Sequence, residues 1–208
     1  MASPIRLYRH PLSGHSHRVE LFLSILGVPF EAIDVDLAAR AHKQPDFLAR
    51  NPFGQVPVIE DGDRTVADSN AILVYLAATR DPSGTWLPRD AAAAAEVQRW
   101  LSLAAGPLAS GPAAARLVNV FGAALDAAAA QRVASQLFAR MDEHLSRQSW
   151  LAGAEPTIAD VALYTYSAHA PEGGVSLVPY PFLRDWLARV EALPGFVPMQ
   201  RTPVGLPE

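Results

Sequence analysis

The stretch from Asn51 to Asn70 sets backbone chemistry and helix-start chemistry side by side. Val56-Pro57 heads a short apolar run, Val56 to Ile59, and the acidic turn Glu60-Asp61-Gly62-Asp63 follows it. A second run, Arg64 to Ala67, leads to Asp68-Ser69 at the head of an apolar segment. Proline has no N–H to give to a sheet, and it holds the residue before it extended. Val56 therefore ends its strand with its own N–H and C=O unspent. A cis Val56–Pro57 bond would turn those groups outward, where they can pair with the backbone of a peptide-like ligand. Asp68 and Ser69 stand where a helix begins, and a helix start offers open N–H groups and a field that favours an anion. A backbone clamp and a carboxylate seat thus lie within one segment, which is what holding a small peptide requires.

Three pieces of the chain carry a resemblance: PLSGHSHRV (Pro11 to Val19), HKQPDFLARNPFGQVPVIEDG (His42 to Gly62) and DSNAI (Asp68 to Ile72). In order, spacing and residue type they resemble the glutathione S-transferase family, closest to its serine-type phi and theta classes. The resemblance covers most of the first 79 residues; beyond them it rests on a helical pattern and the TIAD stretch at Thr157. It implies a thioredoxin-like domain followed by a helical one, glutathione as co-substrate with no other cofactor, an electrophilic and largely apolar second substrate, and a two-fold homodimer. It also implies site residues. Ser13 falls on the catalytic serine, and Ser13, His42, Lys43, Gln55, Val56, Asp68 and Ser69 fall on the glutathione contacts. Leu12 and side chains between Ala91 and Phe121 are expected to line the second pocket. Phe53 stands where some classes insert an aromatic key into the neighbouring subunit.

The chemistry at Ser13 is a matter of magnitudes. A serine hydroxyl is no base near neutral pH, but it can donate a hydrogen bond to a thiolate. Lowering a thiol from ~8.5 by about two units needs ~2.7 kcal/mol. A hydrogen bond to a charged group supplies roughly 1.5–3 kcal/mol, and a helix start adds ~0.3–1. Ser13 could equally cap the following helix. Ser16, two residues before Arg18, and Tyr8, near the end of the first strand, are the rivals. His42 and Lys43 can both donate to a carboxylate, as a pair at this place does in phi-like relatives, though a His-Lys pair in a loop is most often solvated surface. Gln55 is otherwise a plain turn residue. Arg18 reads as a structural partner and a source of positive potential. Many phi-like members carry Glu where Asp68 stands, so the reach toward a ligand's ammonium is shorter.

Composition narrows the choice. The 208-residue chain is 50% hydrophobic and has no cysteine. Disulfides, thiolate metal sites and protein-thiol redox chemistry are excluded, and with them thioredoxin or glutaredoxin activity and the cysteine-type relatives. A net charge of -4 with no basic block argues against nucleic acid. His10, His15, His17 and His42 lack the spacing and carboxylate partners of a metal set. The opening MASPIRLYRH has no signal-peptide core, and the longest uncharged stretch, Trp100 to Ala115, is too short and too rich in Gly and Pro to span a membrane. A cytoplasmic protein is expected.

The elements that must position these residues are legible in the pattern. Ile5 to Tyr8 reads as a strand, and Val19, Phe22, Leu23 and Leu26 follow helical spacing until Gly27 and Pro29 stop it. Ile33, Val35 and Leu37 alternate like a second strand. Val56 to Ile59 and Thr65 to Ala67 read as a hairpin about Asp61-Gly62, and Ile72, Leu73 and Leu76 as a last helix. This βαβ-ββα order predicts a thioredoxin-like domain over residues 1–79. A linker is predicted over 80–89 and an all-α domain over 90–208. Gly106-Pro107 and Gly111-Pro112 should interrupt its first long helix, and Thr157 to Asp160 resembles a capping box. The alternatives on the same scaffold are a non-catalytic binding module and a glutathione-dependent peroxidase, isomerase or dehalogenase.

Overall fold

Alternation along the first strand decides what each face of the sheet buries. The structure, a computed structural model, describes residues 4–206; positions 1–3 and 207–208, the outer ends of the two expected domains, lie outside them. The chain forms two compact units, one running to Gly84 and including Pro194–Gln200, the other comprising Thr85–Leu193 and the residues from Arg201 on.

In the first unit β1 (Ile5–Arg9), α1 (Gly14–Ile25) and β2 (Phe30–Asp34) are followed by a 3-10 turn (Ala41–Lys43) and α2 (Pro45–Leu48). Then come β3 (Val58–Asp61), β4 (Arg64–Ala67) and α3 (Ser69–Arg80). The sheet order is β2-β1-β3-β4, with β1 parallel to β2 and antiparallel to β3, and β3 antiparallel to β4. This is the thioredoxin-like arrangement. Successive side chains of a strand point to opposite faces. Ile5 and Leu7 are accordingly buried on one face, while Tyr8 joins Val35, Phe47 and Val58 in a cluster on the other. Val19, Phe22 and Leu23 of α1 and Ile72, Leu73 and Leu76 of α3 are fully buried, each such side chain contributing ~1.5–3 kcal/mol.

Two strands differ from expectation. β2 stops at Asp34 instead of running to Leu37. The Val35 N–H still reaches the Arg9 carbonyl at 2.7 Å, but β1 ends there and offers nothing further to pair with. Val35 and Leu37 are apolar because they pack around Tyr8, not because they lie in a strand. β3 begins at Val58 and not at Val56, since Pro57 cannot donate to the ladder.

Glu60 fastens α2 to the sheet. It accepts from Tyr8 Oη at 2.9 Å, Arg6 Nη1 at 2.9 Å and Arg50 Nε at 2.8 Å. Arg50 also donates to the Asp46 carbonyl at 2.7 Å and lies over the Tyr8 ring. The segment that carries His42 and Lys43 therefore leads into an anchored helix.

The second unit is helical: α4 (Ala91–Ala105), a π-turn (Ala109–Ala113), α5 (Ala114–Phe121), α6 (Ala127–Leu145), α7 (Ile158–Ala168) and α8 (Pro181–Glu191). Asp90 and Asp126 cap α4 and α6. Gly106 ends α4, and Pro112 sits within the π-turn, so the two Gly-Pro pairs interrupt the helix as their chemistry requires. A Cβ on Gly111 would lie 2.8 Å from the Ala134 nitrogen, so glycine lets α6 approach this turn. Thr157 and Asp160 form the capping box. The fully buried Asp160 accepts from Thr157 N at 2.9 Å, Leu151 N at 3.0 Å and Trp186 Nε1 at 2.9 Å, joining α7 to α8. Among the described residues no helix is long and apolar enough to cross a membrane.

Burial opposes ionisation of Glu60, but Tyr8, Arg50 and Arg6 outweigh it and hold the carboxyl below its ordinary range. Glu60→Gln should cost about 1–3 kcal/mol at neutral pH by urea unfolding. A depressed carboxyl stabilises above its unfolded pKa and loses that contribution as pH falls through the folded one. The gap between variant and parent should therefore close on acidification; a constant gap would show that charge is not the source.

Candidate ligand-binding cleft

A cleft of about 780 Å³ opens in the first unit, within the range of small-molecule sites. It is bounded by the 3-10 turn, the loop before β3 and the start of α3. The structure gathers His42, Lys43, Gln55, Val56, Asp68 and Ser69 along it, and adds His15 of α1. Ser13 and Leu12 are not among the lining residues.

Val56 occupies the middle. The Val56–Pro57 bond is cis, and among the described residues no hydrogen bond engages the Val56 N–H or C=O. The loop presenting it is braced from both sides. Buried Asn51 donates from Nδ2 to the Gln55 carbonyl at 2.9 Å and accepts the Phe53 N–H at 3.1 Å. Lys43 Nζ donates to the Phe53 and Gly54 carbonyls at 2.9 and 2.8 Å. Gly54 has φ 57°, and a Cβ there would meet the His42 carbonyl at 2.6 Å, so only glycine closes the loop onto the turn. Phe53, at the loop tip, is 79% exposed. It does not pack within its own loop.

At one end His42 is held below its ordinary pKa by burial and by the neighbouring Lys43 and Arg40 charges. Its Nδ1 is buried with no hydrogen-bond partner among the described residues. A polar atom left so at the edge of a cleft is a place for a ligand atom.

At the other end Asp68 caps α3, its carboxylate accepting the Asn70 and Ala71 N–H groups at 2.9 Å each. Its backbone has φ 75° and ψ 125°, a conformation that L-residues avoid. Arg18, 1% exposed, lies beneath and donates to Ser69 Oγ at 2.9 Å and Asn70 Oδ1 at 2.7 Å. Ser69 Oγ is in turn 3.3 Å from His15 Nδ1. Burial and the Arg18 charge push His15 down to about 3, so its imidazole is neutral at neutral pH. Guanidinium and helix start carry the same sign, and together they make this end a seat for an anion.

Ser13 is the N-cap of α1, its Oγ accepting the Ser16 N–H at 3.3 Å. That bond uses a lone pair and leaves the hydroxyl proton as a donor. The buried Ser16 hydroxyl accepts from His10 N at 3.3 Å, and the Tyr8 hydroxyl donates to Glu60, so both rivals are spoken for. His15 and Asn51 went unassigned in the sequence. Asn-Pro-x-Gly is a turn signature that marks Asn51, whereas nothing in sequence separates His15 from its neighbours His10 and His17. Among the described residues no group of three or more His, Asp or Glu side chains is placed to hold a metal.

Residues 3–78 match the family model for the glutathione S-transferase N-terminal domain, and residues 106–194 match that for its C-terminal domain. The chain belongs to the glutathione S-transferase family. It is 39% identical over 216 aligned positions to glutathione S-transferase 3 of Zea mays, with 99% of this chain and 96% of that protein covered. It is 34% identical to a maleylacetoacetate isomerase of Rhizobium meliloti (strain 1021), with 88% of this chain and 89% of that one covered. Among solved structures, a glutathione S-transferase from Pseudomonas fluorescens Pf-5 superposes with a TM-score of 0.90 at 32% identity, with 96% and 100% of the two chains covered. This glutathione S-transferase is thus an enzyme of glutathione transfer, with a thioredoxin-like first domain and a helical second one.

The strained cap is testable apart from any ligand. Asp68→Ala should lose about 1–2 kcal/mol from the missing cap, with a further cost from the positive φ. Asp68→Gly, which tolerates that φ and caps nearly as well, should lose less. Thermal unfolding ranks the two, and the reverse order would show that φ is not what constrains the position.

Proposed function

We propose that the cleft binds glutathione extended across Val56, and that Ser13 stabilises the thiolate which attacks an apolar electrophile. The observation that carries this is the pair of unspent Val56 backbone groups midway between two ends suited to carboxylates. One carboxylate is assigned to Ser69 and the start of α3, with the adjacent ammonium toward Asp68. The other is assigned to His42 and Lys43, with Gln55 beside the ligand backbone. Leu12 is assigned to the electrophile's pocket. Ser13 lies off the cleft wall, and what supports its role is the hydroxyl proton that its capping bond leaves over. The enzyme is read as a cytoplasmic homodimer in which exposed Phe53 meets the second copy.

Ser69→Ala and Lys43→Ala should each weaken glutathione binding in calorimetry. A charge-assisted bond of ~2 kcal/mol corresponds to about thirtyfold. Lys43 is more exposed, so its direct loss should be smaller and more salt-dependent, with an added part from unbracing the Phe53 and Gly54 carbonyls. Unchanged affinity in both would mean that the carboxylate seats are misplaced.

Ser13→Ala should bind glutathione nearly as well as the parent but turn over an aromatic electrophile roughly 10–100-fold more slowly near neutral pH. The thiolate absorbance of bound glutathione should appear at higher pH, and raising the pH should restore part of the rate. Wild-type turnover in this variant would move thiolate stabilisation to backbone N–H groups. Sedimentation at micromolar concentration should give about twice the 22.3 kDa chain mass, and Phe53→Ala should loosen the pair by ~2 kcal/mol.

A further inference from the structure

The Ser69 hydroxyl has one proton and more than one claimant. Arg18 only donates, so its 2.9 Å contact makes Ser69 Oγ an acceptor. The 3.3 Å contact to His15 Nδ1 can then be made in two ways. Either Ser69 donates its proton to an unprotonated Nδ1, or a protonated Nδ1 donates to Ser69 and the serine proton points elsewhere. In the empty cleft the first arrangement satisfies every partner. A carboxylate seated at the start of α3 changes that, because it would face the lone pairs of Ser69 unless the hydroxyl proton turned toward it.

Resting on the reading above that this end of the cleft receives a carboxylate of glutathione, we propose that His15 is a positioning residue whose imidazole changes tautomer when the carboxylate arrives. The ring loses its Nε2 proton to water and takes one from water at Nδ1, so protons balance and its charge does not change. Nδ1–H then donates to Ser69 Oγ beside the Arg18 donor, and the Ser69 proton goes to the carboxylate. The residue types fit this task. Imidazole can exchange donor for acceptor at a single atom without charging, whereas lysine or arginine can only donate and a carboxylate at this place could only accept. The ring must stay neutral for the exchange, and its depressed pKa beside Arg18 keeps it so. The other ionisable groups lining the cleft are His42, Lys43 and Asp68, and Asp68 is held by two backbone N–H groups. The exchange would let one hydroxyl serve an empty site and a filled one without a buried acceptor going unmet in either, a loss that costs ~1–3 kcal/mol.

Nitrogen NMR of the protein carrying labelled histidine, at neutral pH, reads the tautomer directly, and His15→Asn identifies the His15 signals. Samples with and without saturating glutathione are compared, with calorimetry on the same samples to establish occupancy. His15 should carry its proton on Nε2 in the empty protein and on Nδ1 in the occupied one. In Ser69→Ala, brought to saturation with more ligand, the exchange should be lost because the hydroxyl linking ring and carboxylate is gone. The same tautomer in both states overturns the proposal, as does a doubly protonated ring in the occupied state or an exchange that survives Ser69→Ala. If calorimetry finds no glutathione binding at all, the reading of the cleft has failed and this proposal with it; unchanged His15 signals in a demonstrably occupied site are a failure of this proposal alone.

Discussion

A guanidinium that is 1% exposed must be answered by hydrogen bonds, because an unpaired buried charge costs several kcal/mol. Arg18 answers this demand by reaching from α1 to Ser69 and Asn70 at the head of α3. The position of that helix start, and so of the whole anion-seeking end of the cleft, follows from the need to satisfy Arg18. The same contact leaves Ser69 an acceptor toward α1 and a donor toward whatever else is near. The charge also lies behind the neutral state of His15. Folding and ligand chemistry thus draw on one residue, and a substitution there would disturb both at once.

Much of the fold could be read in the sequence because local rules and tertiary packing agreed. Gly27 ends α1 with φ 63°, Gly62 turns the hairpin with φ 63°, and Thr157-x-x-Asp160 caps its helix. Where the two disagreed, the reading slipped. Val35 and Leu37 kept a strand-like alternation after β1 had run out, because the Tyr8 cluster asks for apolar residues in the same rhythm. The return of Pro194–Gln200 to the first unit leaves no local signal, since it depends on contacts such as His17 Nε2 with the Val197 carbonyl, far apart in the chain.

The cleft divides in the same way. Val56, Asp68 and Ser69 were legible from proline and capping chemistry, which are backbone properties. His42 and Lys43 came from the family resemblance alone, and the geometry shows what a loop pair would not: an unpartnered imidazole nitrogen and an amine bound to two carbonyls. Asn51 is buried at the foot of that loop, and its role rests on two hydrogen bonds that sequence can suggest but not place. His15 was invisible because its significance depends on a helix that begins more than fifty residues later in the chain.

Lys43 is the sole lysine among the 208 residues, and every other permanent cation is an arginine. Apart from the chain's own amino terminus, the protein therefore presents a single primary amine to its surroundings, and that amine stands at the mouth of the cleft. Acylating or reductively alkylating reagents, which on most proteins give a crowded pattern of modified lysines, would here write a single mark at the site itself. Evolution or chance has left this chain with a built-in occupancy gauge: the rate at which one side chain is labelled reports how often the cleft stands open.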